Sequence, residues 1–222
     1  NNDVFFNSPV KKDMDSSVVF NDKIWVIGGK IDNNSNGLND VWYSSDGVQW
    51  TEATSSAQFS GRNMHTSVVF NDKIWVIGGN TNNIYFETSN KFSDVWYSSD
   101  GVTWTEATAN AAFGKRAEHN SVVFDGKIWV MGGVYNSEKA DVWYSSDGVT
   151  WTEATASAFP KRYTASAHVF NNKMWLIGGN QMDLGDVWYS TDGATWVEAI
   201  DIADFGKRGF LQSLSSNMRL IN

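Results

Sequence analysis

The chain has 222 residues with 12 Trp, 13 Phe, 7 Tyr and 19 Gly but only 2 Pro and no Cys. That composition favours β-sheet with Gly-rich turns and excludes disulfides, thiolate catalysis and Cys-ligated metal. A formal net charge of −8 and a pI near 4.8 argue against nucleic acid, whose phosphates are bound through Lys and Arg. No apolar run approaches the roughly 18 residues of a membrane span, and the opening NNDVFFNSPVKK lacks a signal-like apolar core. Membrane insertion is therefore not expected. The compartment stays open, an extracellular or cell-surface setting being preferred.

One block is written four times, with cores at about 17–54, 67–108, 121–155 and 167–200, and self-similarity at a period of about 50 marks a repeat architecture. In the first copy SVVF is followed by Asn21-Asp22, KIWVI and Gly28-Gly29. Residues that tolerate positive φ between two apolar runs predict a tight hairpin. A loop leads to DVWYSS, and Asp46-Gly47 predicts a second hairpin into a strand around WTEAT. The later copies repeat this order through Asn71-Asp72, Asp125-Gly126 and Asn171-Asn172, and through Asp100-Gly101, Asp147-Gly148 and Asp192-Gly193. Each block thus reads as a four-stranded antiparallel sheet carrying three Trp. So small a sheet cannot bury three such rings alone, so neighbouring sheets must stack face to face and hold the twelve Trp between them.

The Gly-Gly pair closing the second strand, the aromatic just before it and the Trp of the fourth strand resemble the kelch motif. The resemblance covers nearly the whole chain and implies an all-β, kelch-type β-propeller, a single domain over residues 1–222. The S-S-D-G-V-T-W stretch is also similar to a shortened Asp-box of sialidase-type propellers. The ends complement one another: residues 3–8 read like a third strand and 211–221 like a first and second strand, predicting a fifth blade split between the termini.

The copies differ most in the loops 30–39, 80–93, 134–140 and 180–185. Variable loops on a constant frame are where recognition is usually placed. Strand alternation puts these loops on the same face as the connections between blocks. Those connections carry Lys11-Lys12, Arg62, Lys115-Arg116, Lys161-Arg162 and Lys207-Arg208, nine of the 17 Lys and Arg. Two partners suit such guanidinium groups: carboxylates of the frame, for which Glu52, Glu106, Glu153 and Glu198 recur at the right frequency, or a carboxylate or sulfate on a ligand. The candidate ligand-binding residues are therefore Arg62, Arg116, Arg162 and Arg208, with Tyr85, Phe86 and Tyr135 on the loops. His65 and His119 share one repeat position that Ala165 fills later, which suits structural histidines, and no metal is expected. The Asp of DVW and of SSDG repeat in every copy, as frame residues do.

These features point first to a non-enzymatic binding module offering a loop-rich, locally basic face to a protein or an acidic carbohydrate, without a cofactor. The resemblance leaves an enzyme conceivable, either sialic-acid mutarotase-like or sialidase-like. A third reading is a structural bead of a surface assembly.

Overall fold

The structure is a computed structural model that describes residues 12–32, 35–81, 90–179, 184–204 and 206. Among them the chain forms four antiparallel blades, each a sheet with its strands in sequence order. Blade 1 comprises β1 (Ser16–Phe20), β2 (Lys23–Ile27), β3 (Val41–Ser44) and β4 (Thr51–Thr54). Blade 2 comprises β5 (Thr66–Phe70), β6 (Lys73–Ile77), β7 (Val95–Ser98) and β8 (Thr105–Thr108). Blade 3 comprises β9 (Asn120–Phe124), β10 (Lys127–Met131), β11 (Val142–Ser145) and β12 (Thr152–Thr155). Blade 4 comprises β13 (Ser166–Phe170), β14 (Lys173–Gly179), β15 (Leu184–Ser190) and β16 (Val197–Ile200). The first strands β1, β5, β9 and β13 abut in that order, so they line the axis of a propeller ring.

The first hairpin of each blade is as tight as its sequence predicts. Asn21 and Asp22 stand at φ 49° and 56°, the double positive φ of a turn whose twist matches the strands. The second connection is wider than a two-residue turn, because β3 ends at Ser44 and β4 begins at Thr51. The Asp46 carboxylate holds it instead, accepting from the backbone N–H of Val48 at 2.8 Å and Gln49 at 2.7 Å. Gly47 N–H donates to Ser44 Oγ at 2.8 Å. This Asp-centred loop recurs at Asp100, Asp147 and Asp192.

Three apolar cores lie between successive blades. Trp75 is 3% exposed and its ring lies against Gly148 of the next blade, where a methyl group would overlap it. Trp104, Trp151 and Trp196 meet Phe59, Phe113 and Phe159 edge to face, with centroids 4.8–5.3 Å apart. These rings are the glue of the ring, since each removes a large apolar area from water.

The expectation that all twelve Trp lie between blades holds only where a described blade adjoins. Phe170 of blade 4 is 63% exposed, against 6–7% for its equivalents Phe20, Phe70 and Phe124. Trp175 is only half-buried. The opposite face of blade 1 is open as well: Ile24 is 39% exposed where Ile74 and Ile128 are fully buried. The gap between blades 4 and 1 is therefore flanked by exposed apolar side chains, Phe170 on one side and Ile24 on the other. The split fifth blade of residues 3–8 and 211–221 lies outside the described residues. If it fills this gap, deleting residues 1–8 is expected to lower the melting temperature and promote association through the Phe170 face. A truncated chain that stays monomeric with an unchanged melt would dismiss the split blade.

Candidate functional site

The blades are joined on the loop-bearing face by two repeated devices. In the first, an Arg at the entry to blades 2, 3 and 4 spans two neighbours. Arg116 takes backbone bonds from blade 2, through Phe92 O and Gly79 N–H, each near 3 Å. Its guanidinium reaches into blade 3, donating to Gly132 O at 2.9 Å and to both carboxylate oxygens of Asp141 at 3.0 and 2.8 Å. Arg62 grips Gly78 O and Asp94 in the same way, and Arg162 grips Gly178 O and Asp186. Lys12 occupies the equivalent place before blade 1, pairing with Asp40 at 2.7 Å. Each of these Asp residues also accepts the indole N–H of the Trp two positions on.

The second device is a girdle around the channel mouth. Met14, Met64, Glu118 and Thr164 occupy one repeat position just before the first strands, all with φ between 53° and 58°. Met64 N–H donates to Met14 O, Glu118 N–H to Met64 O and Thr164 N–H to Glu118 O, at 2.9–3.0 Å. The left-handed turn at each residue aims its N–H at the preceding blade and its C=O at the following one.

A family profile for the KLHDC2/KLHL20/DRC7 Kelch-repeats domain matches residues 8–205. The chain belongs to the kelch-repeat family. Binding to other proteins is a general function of kelch domains. Among solved structures, the kelch propeller superposes on the structure titled "Structure of YjhT" with a TM-score of 0.73 and 16% identity, covering 91% of this chain and 69% of that one. That likeness is one of fold alone. The chain matches no curated protein sequence.

The kelch frame accounts for the arginines that the sequence singled out. Arg62, Arg116 and Arg162 are 0–1% exposed, and their forks, expected to face either a ligand or a frame carboxylate, are occupied by the Asp of DVW. The frame partners are not the recurrent Glu52, Glu106, Glu153 and Glu198. Those Glu residues sit exposed on the outermost strands. Surface positive charge on this face comes instead from the adjoining Lys: Lys161 is exposed and Lys115 half-buried. Tyr135 stands half-buried on the loop of blade 3. Arg208, Tyr85 and Phe86 lie outside the described residues. Beside Tyr135's loop opens a shallow recess of about 440 Å³, its rim including Glu138, Lys139, Phe159 and Lys161.

His65 and His119 are packed inside the frame, where their rings lie against Gly28 and Gly78 of the preceding blades. His65 shares a hydrogen bond with Ser16 at 2.7 Å, and His119 one with Thr66 at 2.9 Å. Burial, reinforced by the Arg116 charge, lowers the His119 pKa to about 3; burial and Arg62 push His65 well below its ordinary value too. The unfolded chain takes up these protons near 6.5 whereas the fold refuses them, so stability is expected to fall as pH drops below that value. His119→Gln should flatten this loss in melts recorded between pH 7 and about 5. An unaltered slope would separate the acid response from this histidine.

Sequence reasoning passed over Glu118. It stands where other copies have Met14, Met64 and Thr164, so aligning the repeats was the signal that could have found it. Glu118 is 9% exposed and neither carboxylate oxygen has a hydrogen-bond partner among the described residues. Burial raises its pKa to about 7, against the pull of Lys91. The sign is opposite to that of the histidines: Glu118 contributes stability below 4.5 that is lost as pH rises through about 7.

Proposed function

We propose that this kelch propeller is a non-enzymatic protein-recognition module whose partner docks on the loop-bearing face around the channel mouth. The observation that carries this reading is the division of labour between the two faces. On one, every connection is an Asn-Asp type or Asp-centred turn repeated in each blade, with carboxylates committed to the backbone. On the other, the loops differ in length and sequence from blade to blade, and Tyr135, Lys115 and Lys161 lie there. Tyr85 and Phe86 belong to the longest of these loops. Aromatic rings bordered by flexible cations suit a protein surface, since Tyr supplies large contact area at low entropic cost. The buried Arg62, Arg116 and Arg162 support this face from beneath by fixing the angle between blades.

A photo-crosslinking residue placed at Tyr135, compared with one at the exposed Val149 of the turn face, tests the reading. The expected result is a discrete protein adduct from position 135 and none from 149. Adducts formed equally from both positions, or glycan-array binding with no protein adduct, would reverse it.

A further inference from the structure

We propose that the channel mouth between blades 2 and 3 is a receptor for the guanidinium group of an arginine carried by the partner, with Glu118 as its anchor. It rests on the reading of the loop face as the docking face.

Three side chains at successive blade entries carry the argument. Asn63 is fully buried, and both atoms of its amide lack a hydrogen-bond partner among the described residues. Both oxygens of Glu118 and the hydroxyl of Thr164 are in the same condition. The girdle holds them together, since Asn63 precedes Met64 and backbone bonds run from Met64 through Glu118 to Thr164. Buried polar atoms are hydrogen-bonded in roughly nine cases out of ten, and leaving one unpaired is costly. Five of the ten such atoms among the described residues lie on these three residues, which the girdle backbone links, and they call for a complement.

The chemistry of that complement follows from the atoms. The Glu118 oxygens and Asn63 Oδ1 accept only and the Thr164 hydroxyl can accept, while Asn63 Nδ2 alone donates, so four of the five atoms call for a donor. A guanidinium offers five N–H donors and no acceptor, in a fork that matches a carboxylate bidentately. The girdle runs along the entries to the first strands, which line the axis, on the loop face where the partner docks. Lys91 acts on the carboxylate through space without donating to it. Arg116 turns its two terminal nitrogens to Asp141, Gly132 O and Phe113 O, its Nε having no partner among the described residues, and His119 stays uncharged. No neighbouring cation therefore satisfies Glu118. Its raised pKa is the cost of that isolation, and an incoming cation would lower it.

The test uses N-acetyl-arginine amide as probe, with N-acetyl-glutamine amide and methyl glucoside as neutral comparators, followed by NMR on the isotope-labelled chain. The arginine probe is expected to shift the amide signals of Asn63, Glu118 and Thr164, and to bind more weakly at pH 6 than at pH 8. Glu118→Gln should weaken it about 10–100-fold, the range for a lost charge-assisted pair. The wild-type comparison of probes needs no variant and stands even if a substitution perturbs folding. A glutamine or glucoside probe that binds as well as the arginine one, or no shifts from any probe, would overturn the proposal. A protein adduct at Tyr135 whose formation is indifferent to Glu118→Gln would also overturn it, while leaving the protein-recognition reading intact. Arginine binding without any protein adduct would leave the pocket standing and overturn that reading instead.

Discussion

Replacing Arg116 by Ala is expected to cost about 3–5 kcal/mol, the loss that follows when one partner of a buried ion pair is removed. Arg116 is wholly buried and bonds Gly132 O, Phe113 O and both oxygens of Asp141. Without it Asp141, whose side chain is 16% exposed, keeps the Trp143 indole as its side-chain hydrogen-bond donor among the described residues, with the Lys139 charge nearby. The damage should be relieved by a second change, Asp141→Asn, because the stranded charge and not the lost attraction dominates the penalty. Denaturant unfolding of the two single variants and the double variant measures this coupling. A single-variant loss below about 1 kcal/mol, the scale of a surface ion pair, would deny the clip its structural role. Acid supplies an independent check. Burial works to raise the Asp141 pKa, but the bonds and charge of Arg116 prevail and hold it below 3.8. Its stabilisation is therefore present above that value and lost as pH falls through the lower folded one.

Trp75→Ala is expected to lose about 3–5 kcal/mol, as large aromatic truncations in packed cores do. Its ring fills the space between blades 2 and 3 against Gly148, and its indole N–H donates to Phe70 O at 2.9 Å. The surrounding sheets are hydrogen-bonded strand to strand and cannot collapse into the cavity, so the upper part of that range applies. Thermal melts of Trp75→Ala and Trp175→Ala form an informative pair. Equal losses would show that the blade 4 face is covered in solution, whereas a much smaller loss at Trp175 would show it open. A melt unchanged by Trp75→Ala would contradict the packing between blades.

The architecture was legible because it is written four times. A period near 50, a double-positive-φ turn such as Asn21-Asp22 and the alternation within VVF and KIWVI each constrain a neighbouring stretch of chain, and such local rules survive any tertiary context. The frame role of the DVW Asp was legible for the same reason, since an active site is needed once and these residues recur. Which carboxylate meets which Arg was not. Glu106 and Asp94 recur equally often, and the choice depends on strand position within the blade: the Asp lies at the loop end of the third strand beside the Arg, while the Glu lies on the outer edge.

Glu118 marks the same boundary. Its position in the chain shows only a charged residue where the other copies carry Met or Thr. Its burial, its unpaired oxygens and its elevated pKa arise because the ring brings three blade entries together around one axis. The sequence alone therefore determined the repeating sheet and its turns, which obey short-range rules. The tertiary structure decided which charges are frame and which remain available, because burial and pairing depend on residues 24–32 positions apart meeting where one blade enters the next.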